Sequence, residues 1–476
     1  MSSFNGGSAT VIHWFRQDLR LADNPALADA AACGDVLPVY ILDDDAAGDD
    51  RMGAASRWWL HRSLAALNDS LDGRLVLARG DAATLLPQLA SQLNVTAVTW
   101  NDCYEPWRIA QDDVIEAALG DLGCRVIRHH GSRLWQPGSI TKDDGRPYRV
   151  FTPFYKAALA RGAIPRRPLA APAPGVFVSS ASVTIDCSLA ALELAPTIRW
   201  DDGLIERWQP GEDAATAQLS EFVEARLVDY AEGRDRPATD STSSLSPYLH
   251  FGELSPNQVW YTATDCEAGE LAAPFLRELS WREFCYSLLA QWPDMRTRAL
   301  DQRFERFPWR DDEQAFKAWC EGRTGHPLVD AGMRELWRTG FMHNRVRMIA
   351  ASFLVKNLLI DWRRGEQWFW DCLVDADHAN NAANWQWVAG CGADAAPYIR
   401  IFNPATQGER FDPDGLYTRR WVPEVAALSN KYLYKPWAAP GDMFAAQHNG
   451  DVNAYPSPVA DLRDSRARAL ATFKSL

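Results

Sequence analysis

The chain has 476 residues, 47% of them hydrophobic and 23% charged, an ordinary balance for a globular protein with length enough for large cores. A formal charge of −13 excludes a chain that is basic throughout, although a local basic groove can still bind nucleic acid inside an acidic whole. The nine cysteines are scattered without CxxC or other metal-ligand spacing, so neither a disulfide framework nor a metal site is expected. A reducing cytoplasm is the expected setting. The N-terminal MSSFNGGSAT lacks a basic region followed by an apolar stretch, so no signal peptide is expected. No uninterrupted apolar run reaches the length of a membrane span.

Short apolar, β-branched runs occur at 10–15, 37–42, 75–78, 95–100 and 124–129, with helical patterns such as Ala54–Leu71 and Asp81–Leu93 between them. Strands alternating with helices predict a doubly wound α/β domain with a parallel sheet, over 8–135. No GxGxxG follows the first strand, so the usual dinucleotide fingerprint is missing. The loop Arg16-Gln17-Asp18-Leu19-Arg20 reads as paired charges, with Asp23 or Asn24 capping a helix that starts at Pro25.

Residues 136–202 are turn-rich and then punctuated by Pro165, Pro168, Pro172 and Pro174, which predicts a connecting segment laid over the surface. Beyond 203 the period changes to 3.6. Helices are expected at Asp213–Ala231, Pro256–Glu267, Phe275–Gln291, Glu313–Glu321, Pro327–Thr339, Asn344–Asp361 and Glu366–Leu373, in an all-helical domain running to 476.

Four polar groupings stand inside this helical part. Thr242, Ser243, Ser244, Leu245 and Ser246 lead into a helix start, where hydroxyls and free N–H groups suit either a cap or a phosphate. Tyr230 and Arg234 precede them and favour a ligand. Glu278, Trp281 and Arg282 share one helical face. Asn344, Arg345 and Met348 lie on another, with Arg347 beside it, and a purely structural helix needs no such cluster near its apolar start. Asp375 and Asp377 precede Asn380, Asn381, Trp385 and Trp387; a metal is the weakest reading there, and a polyol or flavin-like ring the better one. Of the 21 tryptophans, packing is the default for any single one, with base stacking or electron transfer the alternatives.

WFRQDLRLADNPAL, RPYRVFTPFYKA, STSSLSPYLHFGELSP, RELSWREF, TGHPLVDAGMRELWRTGFMHNRVRM and DADHANNAANWQW, in that order, carry a resemblance to the photolyase/cryptochrome family over nearly the whole chain. The chain is most similar to the bacterial cyclobutane pyrimidine dimer photolyases of class I or III. The resemblance implies light-driven repair of UV-damaged DNA by an α/β antenna domain joined to a helical FAD domain. Carried over, FAD contacts fall to Tyr230, Thr242, Ser243, Ser244, Leu245, Ser246, Arg282, Asn344, Arg347, Asp375, Ala376, Asp377 and Asn381, with Arg347 paired to Asp375. Asn381 would face the flavin ring and Glu278 would hydrogen-bond the thymine carbonyls, as the catalytic pair. Lesion and DNA contacts fall to Arg234, Glu278, Trp281, Asn344, Arg345, Met348, Trp387, Arg400 and Gln407. Trp385, Trp362 and Trp309 align with the family's electron relay.

A six-four photolyase is disfavoured, because His343 is present but its usual partner position is Met348. A cryptochrome-like photoreceptor is disfavoured by Asn381, Glu278 and the absence of a long tail after Phe473. The antenna pigment stays open between methenyltetrahydrofolate held differently, a deazaflavin and none at all, because Pro106-Trp107-Arg108 stands where folate-binding members carry Asn-Glu. A monomer without membrane attachment is expected.

Overall fold

The computed structural model describes residues 9–160, 164–179, 183, 185–395, 397–440 and 455–476. Residues 1–8, on which most of the leader reading and the start of the first domain rest, lie outside them.

Five parallel strands, β1 (Thr10–Phe15), β2 (Asp35–Leu42), β3 (Val76–Arg79), β4 (Ala97–Asn101) and β5 (Arg125–His129), form one sheet in the order β3-β2-β1-β4-β5. Residues 11–15 are buried without alternation, as expected for a strand covered on both faces. The covering helices are α1 (Pro25–Cys33), α2 (Ala54–Ser70), α3 (Ala82–Leu93) and α4 (Pro106–Asp121). The strand order reverses between β1 and β4, which opens a crevice beyond their carboxyl ends.

The charged loop after β1 sits at that crevice. Arg16 donates to Asp112 at 2.6 Å, Asn101 donates to Asp18 at 2.6 Å, and the Asn24 side chain caps α1 by accepting from the Leu27 N–H at 3.1 Å. The loop also reaches the helical part: the Leu19 N–H donates to the Phe251 carbonyl at 3.1 Å and Arg20 to that of Gly252 at 2.8 Å. Gly252 lies at φ 69, and a Cβ there would stand 2.1 Å from the Gln17 carbonyl oxygen. Only glycine combines that left-handed backbone with so close an approach.

The segment expected as a surface connector differs in one respect. Residues Phe151–Ala160 form a helix, α5, with Phe151, Phe154 and Ala158 buried against the helical part. The aromatic residues of FTPFYKA supply an apolar face that the turn-rich surroundings obscure. Further on, the Val178 N–H donates to the Val36 carbonyl at 3.0 Å and the Cys187 N–H to that of Leu77 at 2.7 Å, so the chain returns along β2 and β3.

In the helical part, α6 (Glu212–Ala225), α7 (Ser246–Phe251), α8 (Pro256–Asp265), α9 (Ala273–Gln291), α10 (Pro327–Thr339), α11 (Asn344–Ser352), α12 (Trp362–Cys372), α13 (His378–Ala389) and α14 (Pro404–Phe411) are the elements that matter for the site. Two expected helices are broken. The stretch Asp213–Ala231 stops at Ala225, where Arg226 leaves helical dihedrals and pairs with Asp240 at 2.9 Å; short turns at Leu227–Asp229 and Tyr230–Gly233 follow. The stretch Asn344–Asp361 leaves the α form after Ser352 for a π turn at Phe353–Asn357, in which the Leu358 N–H reaches back to the Phe353 carbonyl. Asn357 is held there by Ser465 at 2.8 Å and by Arg468 on its carbonyl. No described helix is long and apolar enough to cross a membrane.

Trp59 on α2 joins the two parts. It is fully buried, stacks on Phe251 with ring centroids 6.0 Å apart, meets Tyr248 and Trp208 edge-on, and donates to Glu253 at 3.0 Å. Glu253 also accepts from Ser63 and, at 2.6 Å, from the Gly211 N–H; burial pushes its carboxyl up to about 8. Trp59→Ala removes the ring and one of the three donors. It is expected to lower stability by about 3–5 kcal/mol, read as a shifted urea midpoint for the whole protein; a shift below 1 kcal/mol would show that the joint is carried elsewhere.

Candidate functional site

The polar groups expected from α7, α11 and the approach to α13 converge. Ser246, at the start of α7, donates to Asp375 at 2.6 Å, and Arg347 on α11 donates to the same carboxylate at 2.9 Å. Arg347 is aimed by a second bond, to the Met342 carbonyl at 2.7 Å. The other oxygen of Asp375 is buried without a partner, a state that costs about 1–3 kcal/mol unless something donates to it. Ser244 takes φ 54, and the Ser243 carbonyl is held by Gln218 at 3.1 Å, so the hydroxyl run is a turn rather than a helix. Tyr230 is buried, edge-on to Phe222 and Phe275, and Ala376 is buried behind Asp375.

Asp377 caps α13 through the Asn380 N–H at 2.8 Å and also accepts from the Asn380 side chain at 2.7 Å and from the Tyr286 hydroxyl. Burial opposes its ionisation, but the His250 ring 3.7 Å away and the Arg133 and Arg282 guanidinium groups outweigh that and hold its carboxyl well below the usual range. Arg282 spends two donors on backbone, the Leu249 carbonyl at 2.9 Å and the Ser132 carbonyl at 3.1 Å, so its geometry locks α9 to neighbouring segments.

Asn381 is turned by its amide nitrogen to the Glu366 carboxylate at 2.8 Å, which leaves its amide oxygen facing away. Burial raises the Glu366 carboxyl, and Arg296 at 3.1 Å opposes that shift while also binding Asp50 at 2.6 Å. The chain Asp50–Arg296–Glu366–Asn381 therefore fixes one amide. Glu366 and Arg296 are not among the residues read from the sequence, since neither sits in a motif.

A second, partly exposed group of residues adjoins this cluster through α11. Glu278 on α9 is bound by Arg234 at 2.6 Å, and Arg345 on α11 by Asp235 at 2.5 Å, so the turn 234–235 links the two helices. Arg345 also contacts the Met348 sulfur at 3.9 Å, and Asn344 is exposed. Trp281 stacks face to face on Phe151 of α5, centroids 3.9 Å apart, which makes the supposed connector a wall of the site. Trp387 is half-buried. Arg400 is exposed, and Gln407 is half-buried on α14.

Trp385, Trp362 and Trp309 belong to one apolar cluster. Among the described ring contacts, Trp385 meets Phe369 (5.0 Å) and Trp319 (6.2 Å), and Trp309 meets Phe307 (4.3 Å). Trp362 is fully buried, and Gly365, one turn further along α12, comes so close that a Cβ would stand 2.2 Å from the Trp385 ring. The crevice of the sheet is a third feature. It is lined by Trp14, Arg16, Tyr40, Glu105, Trp107 and His378; both His378 ring nitrogens are buried without a hydrogen-bond partner, with Asp50 3.7 Å from Nδ1.

Residues 11–174 match the family model described as DNA photolyase, and residues 275–475 the one described as the FAD binding domain of DNA photolyase. A deoxyribodipyrimidine photo-lyase of Agrobacterium fabrum is 47% identical, with 98% of each chain covered. Cryptochrome-2 of Arabidopsis thaliana is 37% identical over 96% of this chain and 77% of its own. Among solved structures, a bacterial class III photolyase from Agrobacterium tumefaciens superposes with a TM-score of 0.93 at 46% identity, covering 100% of this chain and 98% of that one. The chain belongs to the photolyase/cryptochrome family. An archaeal photolyase from Sulfolobus tokodaii, solved with two FAD molecules, is also similar (TM-score 0.81, 30% identity, 98% and 100% covered).

The family's FAD fits the residues present. The unpartnered Asp375 oxygen suits a hydroxyl or ring N–H, Arg347 beside it suits an anionic or carbonyl group, and the 242–246 turn presents hydroxyls. No cluster of candidate metal ligands occurs among the described residues.

His343 caps α11 by accepting from the Arg345 N–H at 3.2 Å, so its Nδ1 carries no proton. Burial, helped by Arg345, Arg347 and Arg234 and opposed by Asp235, lowers the ring to about 4. Because the folded-state value lies below that of a free histidine, the ring gains its charge only in acid, and protonation beside Arg345 would strengthen DNA binding only there. Affinity for UV-damaged duplex is therefore expected not to rise as pH falls from about 7.5 to about 6. A rise through that interval that His343→Gln removes would contradict this assignment.

Proposed function

We propose that the protein splits cyclobutane pyrimidine dimers in UV-damaged DNA under near-UV or blue light, acting as a cytoplasmic monomer with reduced FAD. The observation that carries the reading is the junction itself: Glu278, Arg345 and Met348 are linked on one partly exposed face, which we take as the mouth of the site, and α11 joins that face to Arg347 and so to Asp375. Bound FAD in its reduced form would supply one electron under light and recover it once both carbon–carbon bonds joining the two pyrimidines have parted, so that the splitting is redox-neutral.

The rest is positioning by this chain. Arg347, Asp375, Asp377 and the 242–246 turn would hold the cofactor, and Asn381, fixed by Glu366, would offer its amide oxygen to the ring. A dimer must leave the base stack to reach the mouth, at a cost that is least for damaged bases; photolyases are the general example of such flipping. Trp281, braced by Phe151, and Trp387 offer apolar faces that replace lost stacking. Glu278 hydrogen-bonds the flipped bases, and Arg234, Arg345, Arg400 and Gln407 hold the strand, with Asn344 and Met348 against the lesion. Such phosphate contacts act locally despite the acidic net charge. The sheet crevice, where the buried His378 Nε2 has no hydrogen-bond partner, is the place for an antenna pigment of folate or deazaflavin type.

Dimer-containing duplex is expected to lose its dimers under blue light and not in the dark. No light-dependent loss by protein carrying reduced FAD would end the repair reading and leave a photoreceptor in its place. Glu278→Ala removes a charge-assisted hydrogen bond worth about 1.5–3 kcal/mol, so splitting should slow roughly ten- to a hundredfold, with a smaller effect on binding; an unchanged splitting rate would refute the role of Glu278. Trp385→Phe should block photoreduction of oxidised FAD while pre-reduced protein still repairs, and equal photoreduction in mutant and wild type would remove Trp385 from the relay.

A further inference from the structure

The turn at 234–235 places opposite charges on the two groups that the proposed function reserves for DNA. Arg234 donates to Glu278 at 2.6 Å, and Asp235, the next residue, accepts from Arg345 at 2.5 Å. In both contacts the protein supplies the chemistry that a substrate would bring. Arg234 is an N–H donor at a carboxylate that would otherwise accept from a flipped base. Asp235 is an anionic oxygen at a guanidinium that would otherwise bind a phosphate.

The pairs are also incomplete, which marks them as replaceable. Arg345 Nε is buried without a partner and Nη1 has only the Met348 sulfur at 3.9 Å, so a single Asp235 oxygen leaves donors unused that a phosphate would satisfy. The Asp235 side chain is 41% exposed and that of Glu278 32%, so both pairs can open into water at small cost. Because Arg234 and Asp235 are consecutive, moving one disturbs the other. The remaining charged or titratable neighbours among the described residues include Arg347, held by Asp375, the His343 ring, which burial keeps neutral, and the Tyr230 hydroxyl beside Arg234, which burial pushes up to about 12.

We propose that the Arg234–Asp235 turn is a built-in occupant of the lesion mouth, and that Asp235 sets the preference for damaged over undamaged DNA. The inference rests on the repair reading given above. Undamaged DNA offers phosphates to Arg345 and Arg234 but no flipped base to Glu278, so it opens the turn and leaves that carboxylate without a replacement donor. A dimer supplies that donor too, and it is the easier base pair to flip. Asp235 thus acts against the wrong ligand more than for the right one, which is how specificity is commonly built.

The test is binding in the dark of one duplex, with and without a single thymine cyclobutane dimer, to the FAD-loaded full-length protein. Asp235→Asn is expected to tighten binding of undamaged duplex roughly three- to tenfold and of dimer duplex by less, so that the ratio of the two affinities falls. Asp235→Glu, which keeps the charge, should restore the ratio to near the wild-type value. Bound FAD per chain reports whether each variant is folded. An unchanged or higher ratio in Asp235→Asn, or the same loss in Asp235→Glu, overturns the proposal while the repair reading stands. Wild-type protein with no preference for the dimer duplex overturns both.

Discussion

The buried carboxylate of Asp377 is the interaction on which the helical part depends. It caps α13, takes the Tyr286 hydroxyl from α9, and lies in the field of Arg133, just beyond β5, and of Arg282. Arg133 in turn stands over the Tyr286 ring, and Arg282 binds the carbonyls of Ser132 and Leu249. Charges taken out of water are tolerated only when each is paired and its hydrogen bonds are filled. Here that condition is met only if α7, α9, α13 and the segment after β5 are all in place. The polar groups on these elements therefore keep one spacing, and the Asp375–Arg347 pair inherits it.

Around that fixed centre the less buried groups are free to exchange partners. Glu278, Arg234, Asp235 and Arg345 are partly exposed, paired singly, and located at the mouth rather than in the core. The division follows from dielectric. Ion pairs in contact with water contribute little and open readily, whereas the Asp377 cluster has no solvent to fall back on. A rigid cofactor bed beside an exchangeable mouth is the arrangement a flipped base requires. The bed must hold distance, and the mouth must admit and release.

The aromatic residues divide in a similar way. Trp59 and Trp208 are buried between the sheet domain and the helices, and Trp281 is braced by Phe151 from a segment whose turn-rich sequence hid its helix. Trp385 and Trp362 lie on α13 and α12, and the missing side chain at Gly365 lets the Trp385 ring approach the α12 backbone. A high tryptophan count thus has several causes, and only position separates them.

What the sequence determined by itself was local. Short apolar, β-branched runs marked the strands, period 3.6 marked most of the helices, and Asn24 at its cap acted within three residues of its own position. Motif order was equally legible, and with it the family; among the residues it singled out, Ser246, Arg347 and Asp375 are ones the structure brings together. The breaks after Ala225 and Ser352 were not legible, because Arg226 pairs with Asp240 across a turn and Asn357 is held by Ser465, 108 residues away. Nor were the clasp at the mouth, whose bonds span 44 and 110 residues, or the Glu366 that aims Asn381. Spacing along a chain encodes which face a residue occupies. Which face meets which, and so which charge finds which partner, is decided only when the whole topology closes.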